Sequence, residues 1–242
     1  NTVYLFDLDG VLIHPGGYRA AMRATIETIY RRMGLIDPAP GNPIFDQLEA
    51  QGITNEWDML ALIVALVLEQ AIREHPQGFN AQGYGLDGAL EQVKSWNLRQ
   101  LEIDYSPLGH LSTFVGRRIT PSAAFLAAAR RGEATFLHHL LDHPRLLEEL
   151  FAYVDDVSRA PLTRLHQHHV VGSQEFTRAY HLPAEFETPS YLELHDQPLL
   201  QAQQRERLLA EWRAGELGLA AFTARHSLPP RERAGGQPGY TA

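Results

Sequence analysis

The sequence of 242 residues contains no cysteine. Disulfides, thiolate nucleophiles and sulfur-rich zinc sites are therefore excluded. Lysine is almost as scarce, with Lys94 the single example, so arginine supplies nearly all the positive charge. Those arginines are scattered among acids and the net charge is −8, which leaves no basic face to follow a nucleic-acid backbone. Long apolar runs are missing as well. The longest, residues 59–68, is bounded by Asp58 and Glu69. It falls far short of the roughly 20 residues needed to cross a bilayer and reads as a buried helix, so no membrane partner is expected. The chain opens directly on a strand-like segment with no basic region and apolar targeting stretch, and a cytoplasmic location is the default expectation. An acidic protein that handles an anionic substrate must attract it locally, through a metal or aimed amides.

What is present is an ordinary globular composition, 44% hydrophobic and 21% charged, on a chain long enough for one large domain or two smaller ones. Val3-Tyr4-Leu5-Phe6 is a short continuous apolar run of strand formers that ends in the acidic turn Asp7-Leu8-Asp9-Gly10. The pattern predicts a central parallel strand covered on both faces. From that turn to residue 214 the chain reads mostly as helix. Met22, Ile26, Ile29 and Met33 recur at helical spacing over 18–33, with Gly34 as a stop. Asn42-Pro43 predicts an N-cap and first turn for a short helix through Leu48, and Thr54 or Asn55 a cap for the helix carrying the apolar run. Further helices are predicted over 122–131, 134–141, 145–157 and 199–213. Residues 217–222 (LGLAAF) restore strand character up to Thr223, and the remainder is a loop rich in proline and glycine.

Strand, helical insert, helix, strand is the order expected of a parallel pair joined by a right-handed crossover. Two strands do not make a stable sheet, so the expectation is that further strands lie beyond residue 242. Active sites of open parallel sheets lie beyond the carboxyl ends of the strands, where Asp7 and Thr223 both stand. Gly10 permits the tight turn that lets Asp7 and Asp9 reach one crevice. One carboxylate can attack phosphorus and form an aspartyl-phosphate. A second can protonate the leaving oxygen and then activate water. A hard cation on carboxylate oxygens would neutralise phosphoryl charge, and a hydroxyl with neighbouring amides would hold the phosphoryl oxygens.

The segment from Val3 to Leu12 closely resembles the first signature of the haloacid dehalogenase-like (HAD) hydrolases, an apolar strand followed by Asp-x-Asp-Gly-Thr/Val. Leu219-Ala220-Ala221-Phe222-Thr223 resembles the second, an apolar strand ending in Thr or Ser. The resemblance implies an α/β fold, mostly helical by content: a HAD-like Rossmannoid core, represented by its first two parallel strands, with a large all-α cap. The core would comprise residues 1–15 and 215–242, and the cap residues 16–214. It further implies that Asp7 is the nucleophile and a ligand of Mg2+. Asp9 would be the acid/base and give its backbone carbonyl to the metal. Thr223, the amide of Ala224, and Arg225 would bind phosphate. A small phosphorylated metabolite would be the substrate. Asp9 favours phosphoryl transfer over dehalogenation, because a halide needs no protonation on leaving. The same residues serve a phosphomutase, which stays open as an alternative, as does a helical binding module with a vestigial core. The family's third signature, a Lys, and its fourth, an acidic pair, should come after Thr223. The only Lys is Lys94 and no Asp follows Thr223, so the missing groups are expected beyond residue 242 and negligible turnover from this chain alone.

Other motifs are weighed against plainer roles. Asp155-Asp156 imitates the fourth signature but precedes Thr223 and follows a segment of helical periodicity. The stretch 83–88 (GYGLDG) fits a dinucleotide fingerprint by letter, with no strand before it. His138, His139 and His143, with His166, His168 and His169, suggest a metal. His139 and His143 would share a helix face, yet no acidic motif accompanies them, so packing is preferred. Trp57 is assigned to the core; Asp58 and His226 are further candidate substrate contacts.

Overall fold

A computed structural model of the chain describes residues 2–36, 39–79, 85–111, 120–133 and 135–223. Strand β1 (Thr2–Asp7) opens the chain and pairs in parallel with β4 (Leu217–Phe222), in a register running from Thr2 opposite Leu217 to Asp7 opposite Phe222. Between them lie β2 (Ile13–His14), α1 (Gly17–Met33), α2 (Asn42–Ala50), α3 (Glu56–Glu74), α4 (Leu86–Ser95), α5 (Pro121–Arg130), α6 (Pro144–Phe151), α7 (Pro161–Val171), α8 (Ser173–Tyr180), α9 (Tyr191–His195), β3 (Gln197–Pro198) and α10 (Ala202–Arg213). The chain is mostly helical with a small two-stranded parallel sheet. No described helix is long and apolar enough to cross a membrane.

The core belongs to the helices. Every residue of α3 from Trp57 to Ile72 is buried, because α1, α4, α5, α6 and α7 all pack against it. A helix that is apolar all round has no solvent face to offer, and this one takes the axis of the bundle. Asn55 supplies its cap, accepting the Trp57 amide at 2.8 Å. α1 ends as expected, with Gly34 left-handed at φ 75°. In α2 the cap residue is Gly41, and Asn42 is already the first helical position, followed by Pro43 in the first turn.

Several expectations give way to long-range contacts. Residues 135–139 are irregular and only Leu140–Asp142 forms a short 3-10 turn, so the helix predicted over 134–141 is absent there. Glu69 of α3 accepts the amides of His139 and Leu140 at 2.8 and 3.0 Å, which holds the chain away from its own helical periodicity. The helix predicted over 145–157 stops at Phe151. Beyond it, Asp156 accepts the amide and hydroxyl of Ser158 at 2.9 and 2.8 Å and turns the chain. α10 starts at Ala202 rather than 199.

Cover on the sheet is the other correction. Val3, Tyr4 and Leu5 are 67%, 45% and 66% exposed and Phe222 is 52% exposed, so β1 is not covered on both faces. The apolar run is there, but among the described residues α10 is the one helix packed closely against β4, and an apolar groove of about 300 Å³ between them is lined by Phe6, Leu208 and Leu219.

The antiparallel pairing of β2 with β3, which places Ile13 opposite Pro198 and His14 opposite Gln197, was not foreshadowed by any sequence pattern. Beside it, Asp196 accepts the amides of Gly16 and Gly17 at 3.0 and 2.8 Å, which serves the open N-terminus of α1. Gly17 has no room for a side chain, since a Cβ there would lie 2.7 Å from Leu192 Cα. The two ends of the helical insert are clasped together at this joint.

Candidate functional site

The site begins at the carboxyl end of the sheet. β1 is extended because most of its residues are branched or aromatic, and its parallel pairing brings Asp7 beside Phe222. The pairing continues one step further: the Leu8 amide donates to the Phe222 carbonyl at 3.0 Å. The chain then turns sharply. The Leu12 and Ile13 amides donate to Leu8 O at 3.0 and 2.9 Å, and the Gly10 amide to Ile13 O at 2.8 Å. Gly10 sits at φ 78° with nothing within 4 Å of where a Cβ would be, so backbone conformation rather than space requires glycine here.

Asp7 and Asp9 are both part-buried and flank this turn. Thr223, directly after β4, donates from Oγ1 to Asp9 Oδ2 at 3.4 Å, across 214 residues of sequence. Asp7, Asp9 and Thr223 therefore come together at one strand end. Ala224, Arg225 and His226 lie outside the described residues, as do Gly83 and Tyr84 of the dinucleotide-like stretch. The rest of that stretch belongs to the start of α4, with Gly85 as its cap residue.

Two carboxylates, one of them accepting from a hydroxyl, are a fair donor set for Mg2+, which keeps several waters and takes one or two protein carboxylates plus substrate oxygens. Among the described residues, no group of three or more His, Asp or Glu is arranged to hold a metal. The two carboxylates would thus hold the ion only with substrate and water. Lys94 stands on α4, 3.9 Å from Glu91 and packed beside Gly34 at the end of α1.

The remaining candidates resolve into structural roles. Asp155 and Asp156 lie in the turns after α6, not at a strand end. Trp57 is 6% exposed within the main core. Asp58 is buried and accepts the Ser122 amide at 2.9 Å and also its hydroxyl, capping α5 from a distance; burial raises its pKa. His139 and His143 flank the 3-10 turn and share no helix face. His166, His168 and His169 are buried along α7. Burial, with the neighbouring His169, pushes the His166 imidazole down to about 3, and burial with His168 and Arg31 pushes His169 down to about 4. Such rings are neutral packing groups at neutral pH.

Sequence reasoning passed over one pair. Glu69 Oε1 lies 2.8 Å from His139 Nδ1, and the carboxylate is buried while the imidazole is partly exposed. A signal existed: Asp58 and Glu69 are eleven residues apart, about three helical turns, so both acids bounding the apolar run lie on one face of α3. In the sequence they merely bound the run, with Asp58 a candidate substrate contact; both prove to be buried acceptors for other segments.

No family model matches this chain, and no curated protein matches it. A crystal structure solved as a target of the Northeast Structural Genomics Consortium is similar in fold, with a TM-score of 0.60 at 16% identity, over 100% of this chain and 68% of that one. Identity that low shows a shared architecture and carries no activity across.

Proposed function

We propose that the strand-end site performs phosphoryl transfer of the HAD type, hydrolysing a small phosphomonoester, with Asp7 as nucleophile and Asp9 as acid/base. The observation that supports this reading is the parallel register that sets Asp7 against Phe222, with Thr223 Oγ1 3.4 Å from Asp9. A chance acidic turn has no need of a hydroxyl from a strand 214 residues away.

In the proposed cycle an Asp7 oxygen attacks phosphorus as the bond to the leaving oxygen breaks, and Asp9 gives that oxygen its proton. Asp9, now ionised, takes a proton from water as the water attacks the aspartyl-phosphate. Inorganic phosphate leaves and Asp7 is regenerated. Thr223 orients a phosphoryl oxygen through its hydroxyl. Asp7 and Asp9 would hold Mg2+, which supplies neutralisation of phosphoryl charge. Arg225 and the amide of Ala224 are assigned to phosphate binding by the resemblance alone.

A second reading has its own support. Lys94, the only lysine, sits on α4 beside Gly34, 3.9 Å from Glu91 and away from the strand-end site. A helical binding module with a vestigial core would be built this way. The test is to incubate the protein with acetyl phosphate and Mg2+, map the phosphoryl adduct by mass spectrometry, and measure hydrolysis of p-nitrophenyl phosphate in parallel. An adduct on Asp7 that needs Mg2+ and vanishes in Asp7→Asn supports the enzyme. Labelling or turnover that survives Asp7→Asn removes Asp7 as nucleophile, and a wild-type protein that shows neither favours the binding module.

A further inference from the structure

The helical bundle contains a cavity of about 410 Å³ that is separate from the strand-end site. It opens between the later turns of α3, the segment 104–111, Phe125 of α5, and residues 135–139. Its volume lies in the range that small-molecule sites occupy. The floor is apolar: Leu66, Leu111, Phe125 and Phe136, with the two rings packed 4.7 Å apart at a 35° tilt.

The polar groups around it are unequal in an informative way. Its two acids are already engaged by the protein. Glu69 accepts the amides of His139 and Leu140 and the His139 ring. Asp104 accepts the Ser106 amide and hydroxyl, each at 2.9 Å, and these bonds hold its pKa below the usual carboxylate range. The Gln70 amide is spent on the backbone of Asp104, at 2.6 and 2.9 Å. The basic side chains of the rim are Arg73, His110, His138 and His139. Arg73 is 62% exposed; its charge also helps to lower the Asp104 pKa, and it approaches Glu74 no closer than 3.9 Å, beyond hydrogen-bonding range. Since an ionised carboxylate only accepts, His139 Nδ1 carries the hydrogen it shares with Glu69. That fixes the orientation of the ring from beneath, as buried carboxylates do for functional imidazoles.

We infer that this cavity is a binding site for a small organic anion with an apolar, ring-sized body. The body would rest on Phe125, Phe136 and Leu66, and the anionic group would meet Arg73 and the histidine rim. Glu69 is turned inward toward protein donors and the exposed Asp104 spends both oxygens on Ser106, so the cations of the rim are left to meet an anion although the chain as a whole carries −8. The inference does not rest on the phosphoryl-transfer reading, since no residue is shared.

The experiment is calorimetric titration with 2-naphthoate, with neutral 2-naphthalenemethanol as the control, on the whole protein. Saturable 1:1 binding of the acid is expected, and Arg73→Gln combined with His138→Gln should weaken it by about tenfold or more, because hydrogen bonds to charged groups carry that much. Both side chains are exposed enough for the fold to survive, which circular dichroism checks. Leu5→Gln, on the open sheet, should leave the affinity unchanged. Absence of saturable binding, equal affinity for the neutral alcohol, an unaffected Arg73/His138 double variant, or loss of binding in Leu5→Gln would each overturn the inference.

Discussion

The buried imidazole of His166 makes acid sensitivity a quantitative expectation. His166 is fully buried on α7; its ring faces the Ala21 carbonyl of α1, yet neither ring nitrogen reaches hydrogen-bonding geometry. His169 lies beside it, and Arg31 approaches His169. Protonating the ring in place would put a charge in a dry interior beside His169, a cost the Ala21 carbonyl offsets only in part, so its folded pKa is pushed down to about 3 from an ordinary 6.5. The unfolded chain binds this proton more readily than the folded one, so stability rises with pH through that window. Above about 6.5 both states are neutral and the group contributes nothing; below it stability is lost progressively until the pH reaches about 3. Between pH 7 and pH 5 the loss from this ring is about 2 kcal/mol, and by pH 4 about 3 kcal/mol. The value at pH 5 depends on the unfolded pKa and hardly on the depth of the folded one, which makes it the better test. His169 adds in the same direction, its contribution levelling off sooner as the pH falls because its folded pKa is about 4.

Urea unfolding of the wild type and His166→Leu at pH 7 and pH 5, at one ionic strength and with buried Trp57 as reporter, measures this directly. Leucine conserves the volume and cannot titrate, so its own baseline stability is immaterial. The gap between the two proteins should change by about 2 kcal/mol in favour of the variant on going from pH 7 to pH 5. Parallel pH profiles would mean the ring is hydrated or charged in the native state, and the reasoning would fail.

Other parts of the molecule carry their own expected outcomes. If Asp9 protonates the leaving oxygen, Asp9→Asn should slow hydrolysis of an alkyl phosphate by about 10²–10⁴ and p-nitrophenyl phosphate far less, since nitrophenolate leaves unaided; equal losses would remove Asp9 as the acid. Gly17→Ala should cost about 1–3 kcal/mol in urea unfolding, because its Cβ would lie 2.7 Å from Leu192 Cα, a backbone atom that cannot swing aside. Asp196→Ala should cost about 1–2 kcal/mol through the same joint, and the double variant should fall short of the sum. Ile63→Ala, fully buried in the middle of α3, should cost about 2–5 kcal/mol by the same measurement. Hydrogen exchange should separate the two regions, with amides of β1 opening far below the global free energy while those of 59–68 exchange only on global unfolding; uniform protection would refute the division.

What the sequence made legible was local. β4 matches residues 217–222, and α1 ends at Gly34, because apolar spacing and a left-handed glycine act over a few residues. The meeting of Asp9 and Thr223 was legible for a related reason: parallel pairing of two apolar strands by itself brings them to one end. The failures share a different cause. Residues 135–139 and the turn at Asp156 obey carboxylates rather than periodicity, and in the first case the carboxylate is Glu69, 70 residues away. The β2–β3 pair rests on two residues from each end of the insert and leaves no pattern to find. Ala224 and Arg225 fall outside the described residues, so the phosphate-binding role proposed for them stands on resemblance alone.

The joint at Asp196 bears on how such a site can be kept in order at all. β1 and β4 are separated by an insert whose closure, for a flexible loop, would oppose their pairing, though only logarithmically with length. Their own cover is poor, since Val3, Leu5 and Phe222 remain more than half exposed. The insert offsets this by bringing its own ends together. α1 packs on α7 and α9, Gly17 lets α9 approach to backbone contact, Asp196 caps α1, and β2 meets β3. Once those contacts form, the loop that β1 and β4 must close shrinks from the whole insert to the two short segments on either side of the clasp. On this account the helical bundle does more than occupy the space between two strands. Its folding is what makes the strand-end arrangement of Asp7, Asp9 and Thr223 sustainable for a sheet of two strands.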